Sequence, residues 1–100
     1  MTGEMSREDV TREAYPLHFA IADAFKGRVR PFDQYQGPFV DAGTAGKFWI
    51  QSYLMPCNYG HEHDTGLVQV YNARTDKLSD PFSPAALKMA IQAAEETLAL

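Results

Sequence analysis

The chain has 100 residues, 45 % of them hydrophobic, and a net charge of −4, which is typical of one globular domain with its own core. Its sequence shows neither a signal peptide nor an apolar run of the roughly 20 residues needed to span a bilayer. The single cysteine excludes an internal disulfide and favours a reducing compartment. We therefore expect a cytoplasmic protein without membrane attachment, with a flexible N-terminus over residues 1–10 and a single α+β domain over residues 11–100.

The charged residues argue against a nucleic-acid partner, because proteins that bind nucleic acid usually present a basic stripe. Thirteen acidic residues oppose nine basic ones. Lys26, Arg28 and Arg30 form the only basic cluster along the sequence, and three charges at a helix-to-strand junction are more typical of a solvated surface. The acidic residues are spread thinly, so mimicry of nucleic acid would require the fold to gather them.

A first helix is predicted in PLHFAIADAFKG, residues 16–27. Its apolar residues recur at spacings of three and four, which gives one apolar stripe. Val10 and Ala14 continue this stripe backwards. We therefore expect the helix to begin near Thr11, with Pro16 in its first turn or at a kink.

Between the helices, five short stretches have the composition or the alternation of strands. They are RVRPF (28–32), QGPFVDA (36–42), KFWIQSYL (47–54), GLVQVYN (66–72) and KLS (77–79). Pro31 lacks an N–H group, so the first stretch is predicted to be a sheet edge or a strand end. In the third stretch, Phe48 and Ile50 share one face and Trp49 lies on the other.

A second helix is predicted in SPAALKMAIQAAEETLAL, residues 83–100, with Ser83 as its cap and Pro84 as its first residue. Each helix has a single apolar stripe. The fold class we expect is therefore α+β, of element order α-β-β-β(-β)-α, with a three- to four-stranded antiparallel meander and both helices packed on one face of the sheet. The sequence leaves open which face the helices cover.

This element order resembles that of the double-stranded-RNA-binding domain, and the resemblance is one of element order only. Such domains bind RNA through basic residues at the start of the last helix. Here that stretch is SPAALKMA, which contains one lysine. The resemblance therefore implies a related arrangement of elements, while the charge disfavours RNA binding.

The connection MPCNYGHEHDTG, residues 55–66, is the stretch richest in reactive side chains. It is longer than the 2–5 residues usual for a hairpin, so it is a candidate functional loop. Cys57, His61 and His63 have the ligand types that zinc prefers, with Asp64 as a fourth candidate. All four lie in one short segment, whereas structural zinc sites usually draw ligands from two. We expect no cofactor, with zinc or a reactive thiol at Cys57 as the alternative.

Aromatic residues suggest an interaction surface. The alternation puts Trp49 and Tyr53 on one sheet face, where Tyr71 of the next strand can stand across from them. Two further tyrosines, Tyr35 and Tyr59, lie in polar connecting stretches. These five residues are the candidate binding residues.

The sequence thus favours a small non-enzymatic module that binds another protein, or a second copy of itself through an exposed strand edge. One alternative is a metal- or thiol-dependent protein centred on Cys57, His61 and His63. Another is an acidic inhibitor that occludes a nucleic-acid-binding site on its target. No pattern among the residues identifies a catalytic group.

Overall fold

Two helices and five strands make up the part of the chain that the computed structural model describes, residues 10–31 and 37–98. In chain order they are α1 (Pro16–Phe25), β1 (Arg28–Arg30), β2 (Phe39–Asp41), β3 (Lys47–Pro56), β4 (Glu62–Asn72), β5 (Lys77–Leu78) and α2 (Leu87–Glu96), with a short 3-10 turn at Gly43–Ala45. The strands form one antiparallel sheet in which neighbours in sequence are neighbours in space. The expected α+β meander is confirmed, with five strands rather than three to four.

The predicted flexibility of the N-terminus concerns residues 1–10, of which only Val10 is described, and Tyr35 also lies outside the described residues. Neither of the two described helices is long and apolar enough to cross a membrane.

Both helices pack on the sheet face that carries Val40, Phe48 and Val70, all three fully buried. Alternation along the paired strands places these side chains together, since Val40 stands opposite Phe48 and Ile50 opposite Val70. The helices complete the core with the following residues: Leu17, Ile21 and Ala22 from α1, and Ala90, Ala93 and Ala94 from α2. Burying a side chain the size of phenylalanine or valine stabilises the fold by about 1.5–3 kcal/mol.

Helix α1 begins at Pro16, so the expected start near Thr11 is wrong. A separate turn comes first, in which the Tyr15 N–H donates to the Thr11 carbonyl (2.9 Å) and the Ala14 N–H to the Thr11 hydroxyl (3.1 Å). Tyr15 has φ −130° and ψ 59°, which is not helical. The proline ring disfavours the helical conformation in the residue before it, so the two segments cannot join.

Helix α2 begins at Leu87 rather than directly after Ser83. The Ser83 hydroxyl accepts from the Ala85 N–H (3.3 Å) and its carbonyl from the Ala86 N–H (3.1 Å), which closes a turn of its own. Ala86 then adopts an extended conformation. The Ser-Pro signal therefore marks a turn that precedes the helix, and Pro84 is not its first residue.

Strands β3 and β4 continue through most of residues 55–66, so the predicted long connection is wrong. The reversal itself spans Cys57 to His61, where the Cys57 N–H donates to the His61 carbonyl (2.8 Å). On β4 the three residues Thr65–Leu67 oppose Tyr53 alone. This mismatch is a β-bulge, and Gly66 is its residue with a left-handed backbone conformation, at φ 79°. The Thr65 hydroxyl donates to the Tyr53 carbonyl (2.7 Å) across the bulge.

A buried amide joins the two turns at the other end of this hairpin. The side chain of Asn72 is fully buried; its amide donates to the Ala45 carbonyl (3.0 Å) and accepts from the Arg74 N–H (2.8 Å). Gly46 lies against this amide with φ 117° and ψ −171°, a region open almost only to glycine. The contact therefore requires a residue without a side chain at position 46.

His18 is a buried titratable residue of the helix layer. Its Nε2–H donates to the Pro38 carbonyl (3.1 Å), and its ring meets the edge of Tyr15. Burial lowers the pKa of His18 below its usual value, an effect larger than the opposite one of the hydrogen bond to Pro38. The folded protein therefore favours the neutral imidazole.

We expect Gly46→Ala to lower the free energy of unfolding by about 2–4 kcal/mol, because the new methyl group would collide with the Asn72 amide and adopt an unfavourable backbone conformation. Gly60→Ala is the control. Gly60 also has a positive φ, of 82°, but no atom lies near its missing side chain. Urea unfolding of both variants measures the difference, and equal losses would show that Asn72 yields to the methyl group.

We also expect acid to destabilise the protein through His18. Because its pKa is lower in the folded state, the unfolded state binds the proton more readily. This stability is fully present above the unfolded pKa near 6.5 and is lost as pH falls from there towards the folded pKa, with a slope of at most about 1.4 kcal/mol per pH unit. Unfolding of His18→Gln should depend less on pH than that of the exposed-residue control His63→Gln. Parallel pH profiles for the two variants would contradict this assignment.

Candidate functional site

The distal part of the β3–β4 hairpin, residues 53–65, is called here the hairpin arm. Strand β2 pairs with β3 only over Lys47–Trp49. On the other edge, the backbone pairing of β4 nearest to the arm is the isolated bridge between Val68 and Phe82. Neither edge of the arm therefore pairs with a third strand among the described residues. Because both edges are unpaired in the described chain, the arm is available for contact with a partner. A two-stranded ribbon is only marginally stable without further packing, so such a contact would also stabilise the arm.

Large apolar side chains are exposed along the arm. Leu54 is 44 % exposed, Met55 41 % and Tyr59, at the tip, 89 %. Leu54 continues the alternation of Phe48 and Ile50, but it lies past the end of the core that the helices cover. The arm thus presents apolar surface on both of its faces.

Cys57 and His61 meet at the tip of the arm, as the first and last residues of the reversal between the two strands. The sulfur lies 3.3 Å from Nδ1 and 3.4 Å from Nε2 of the imidazole. The Tyr59 N–H also donates to the sulfur, at 3.4 Å. The tight turn brings these two residues together, and no other element of the described chain is needed for their contact.

The other two predicted zinc ligands are placed differently. His63 stands opposite Met55, and Asp64 stands opposite Leu54 with its carboxylate accepting from the Gly66 N–H (2.8 Å). Within residues 10–31 and 37–98, no three His, Cys, Asp or Glu side chains form a group that could hold a metal ion. The structure therefore brings together two of the four candidates, and zinc binding stays an untested alternative.

The predicted aromatic face is on the side of the sheet opposite the helices, called here the open face. Trp49 stands opposite both Phe39 and Tyr71 in the sheet register. The Phe39 and Trp49 rings stack with centroids 4.8 Å apart, and the Trp49 and Tyr71 centroids are 6.5 Å apart. Tyr53 lies farther along β3, within the arm.

The rings of Phe39, Trp49 and Tyr71, called here the aromatic row, mainly contact one another. Phe39 is buried, and Trp49 and Tyr71 are half-buried. The Trp49 indole N–H is buried without a hydrogen-bond partner among the described residues. The Tyr71 hydroxyl donates to Asp76 (2.7 Å), and this hydrogen bond raises the pKa of Tyr71. The row therefore offers a partner less free ring surface than the arm does.

Sequence reasoning missed Leu54 and Met55 as surface residues and Phe39 as a member of the aromatic row. Leu54 carries the same alternation signal as the core residues before it. Only the length of the helix layer, which the sequence does not reveal, separates them. Phe39 has a signal, a phenylalanine in a short β-like stretch, but its position opposite Trp49 depends on the register of β2 with β3.

Comparisons with protein-family models, with curated proteins and with solved structures found no match to this chain. Any statement about function therefore depends on the residues and geometry described above.

We expect the double variant Cys57→Ala, His61→Ala to keep its free energy of unfolding within about 0.5 kcal/mol of the wild type, because the pair lies at an exposed tip. Thermal unfolding with and without one equivalent of zinc measures this. A melting temperature that rises by several degrees with zinc in the wild type, but not in the double variant, would instead establish the zinc site.

Proposed function

We propose that the protein is a small non-enzymatic binding module and that it contacts another protein through the hairpin arm. The observation that carries this proposal is the exposure of Leu54, Met55 and Tyr59 on a ribbon that no third strand flanks in the described chain. A cytoplasmic location, favoured by the single cysteine, is part of the proposal.

Apolar surface concentrated on a protruding element is a common mark of an interaction site. Tyrosine suits such a site because it offers a large, stiff contact area and a polar end. Tyr59 at the tip and Met55 near the end of β3 would bury their exposed surface in a partner, at about 25 cal/mol per Å² of apolar area removed from water. The arm therefore has the chemistry of a protein contact.

The backbone of the arm adds a second means of contact. Hydrogen-bonded and non-hydrogen-bonded pairs alternate along an antiparallel ladder, and the Cys57 N–H donates to the His61 carbonyl at the tip. Counted from there, Leu54 and Asp64 form a non-hydrogen-bonded pair, so their backbone N–H and C=O groups point outward at opposite edges of the arm. An extended segment of a partner can add to such an edge. Pro56 lacks an N–H and Glu62 is charged, and both features limit uncontrolled strand addition near the tip.

We expect proteins captured from a lysate of the native host by the tagged wild type to be lost with the variant Met55→Ser, Tyr59→Ser. Removing two exposed apolar side chains from the contact should weaken binding by at least about tenfold. The matched control is Met89→Ser, because Met89 on α2 is 42 % exposed and Met55 41 %. Quantitative comparison of the captured proteins measures the effect.

Circular dichroism checks that all three proteins are folded. If the arm variant and the Met89→Ser control retain the same proteins, the arm is not the contact surface. Light scattering after size-exclusion chromatography tests whether the partner is a second copy of the chain, since the arm variant would then be smaller than the wild type.

A further inference from the structure

Five of the nine basic residues gather at the end of the sheet that lies opposite the arm. Two hollows there share Asp41 and Gly43 in their lining. Lys26, Arg28 and Arg30 line the larger hollow, and Lys47 and Arg74 line the smaller. Their volumes are about 550 Å³ and 320 Å³. We call the two hollows together the basic cleft.

The sheet register explains why these residues converge. Arg28 stands opposite Asp41 and Val29 opposite the buried Val40, so Arg28 and Arg30 point to the open face. Lys47 stands on the other side of Asp41. The turn held by Asn72 adds Arg74, whose guanidinium donates to the Ala45 carbonyl (3.3 Å).

The charge of the basic cleft is opposite to that of the chain. Among the residues that line it, Asp41 is the one acidic residue, so the lining has a net charge of +4, in a chain whose net charge is −4. The remaining residues therefore carry a net charge of −8. A cleft of this charge can attract and orient a negative partner.

Most of these cations lack an acidic partner within the described chain. Arg30 lies 3.9 Å from the Asp41 carboxylate, which also accepts from the Gly43 N–H (3.2 Å). No other member of the cleft forms an ion pair with a described residue. Asp76 is on the same turn as Arg74, and its carboxylate accepts from the Tyr71 hydroxyl.

We infer that the basic cleft binds an acidic segment of a partner protein, whose carboxylates occupy the hollows between these cations. This contact goes beyond the one proposed for the arm. Lys47 and Pro56 lie at opposite ends of β3, about 30 Å apart at the rise of a β-strand. Substitutions can therefore change the basic cleft without changing the arm, and the arm without changing the cleft.

A single-stranded nucleic acid fits this surface less well than an acidic protein segment. Nucleic acid bound to a sheet usually stacks its bases on exposed aromatic rings. Here Phe39 is buried beneath its stacking contact with Trp49, and the Lys47 ammonium lies 5.7 Å from the centroid of the Phe39 ring. The rings beside the cleft thus already have partners, and the cations alone provide no recognition of bases.

Fluorescence anisotropy with a labelled synthetic peptide of alternating glutamate and serine tests this inference. We expect the wild type to bind the peptide at about 50 mM salt and to release it as salt screens the charges. The variant Arg28→Gln, Arg30→Gln should bind about tenfold more weakly, since each exposed ion pair contributes a factor of a few. The control Lys77→Gln, Lys88→Gln makes the same change in net charge outside the cleft and should stay within about twofold of the wild type.

Labelled oligothymidylate serves as the nucleic-acid probe. The inference is overturned if the wild type does not bind the peptide, if the cleft variant binds it as well as the control does, or if oligothymidylate binds more tightly than the peptide. A second variant, Lys47→Gln with Arg74→Gln, should weaken peptide binding similarly. It provides the test if the first variant does not fold.

Discussion

The pairing of β3 with β4 is the interaction on which the rest of the structure depends. It places Phe48 and Val70 on one face and Trp49 and Tyr71 on the other. A slip of one residue would exchange the two faces and expose the core. The helix layer, the aromatic row and the arm all follow from this one register, because each uses side chains or edges that the hairpin has already positioned.

The sequence predicted the two strands of this hairpin but neither their register nor the length of the hairpin. Alternation in residues 47–54 and 66–72 divided the side chains of each strand between two faces, but it left open which face the helices cover, because Phe48 and Ile50 on one face and Trp49 and Tyr53 on the other are all apolar or aromatic. Residues 62–64, Glu-His-Asp, have no strand signal of their own and pair because the facing strand continues. Both helix starts were predicted too early in the chain for a similar reason. Tyr15, which precedes Pro16, and Ala86 have non-helical backbone conformations, and the spacing of apolar residues does not reveal them.

The candidate surfaces differ in how far the sequence could foresee them. Trp49 and Tyr71 belong to adjacent strands, so alternation suggested that they could meet, and the register of β3 with β4 decides that they do. The gathering of Lys47 and Arg74 beside Arg28 depends on the order of β1, β2 and β3 in the sheet and on the turn that Asn72 holds. In the sequence, only Lys26, Arg28 and Arg30 are close together, and they were interpreted as a solvated patch. The fold adds Lys47 and Arg74 to them, and the five residues line a cleft.

The two proposed surfaces differ in the force that drives binding, and this has a consequence for how they act together. Apolar contact at the arm depends little on ionic strength, whereas contact at the basic cleft weakens as salt screens it. A partner long enough to reach both, over about 30 Å, would meet the second surface at an effective concentration in the millimolar range. Weak attraction at the cleft would then add to the affinity of the arm, and its positive charge would orient the partner before the arm makes contact.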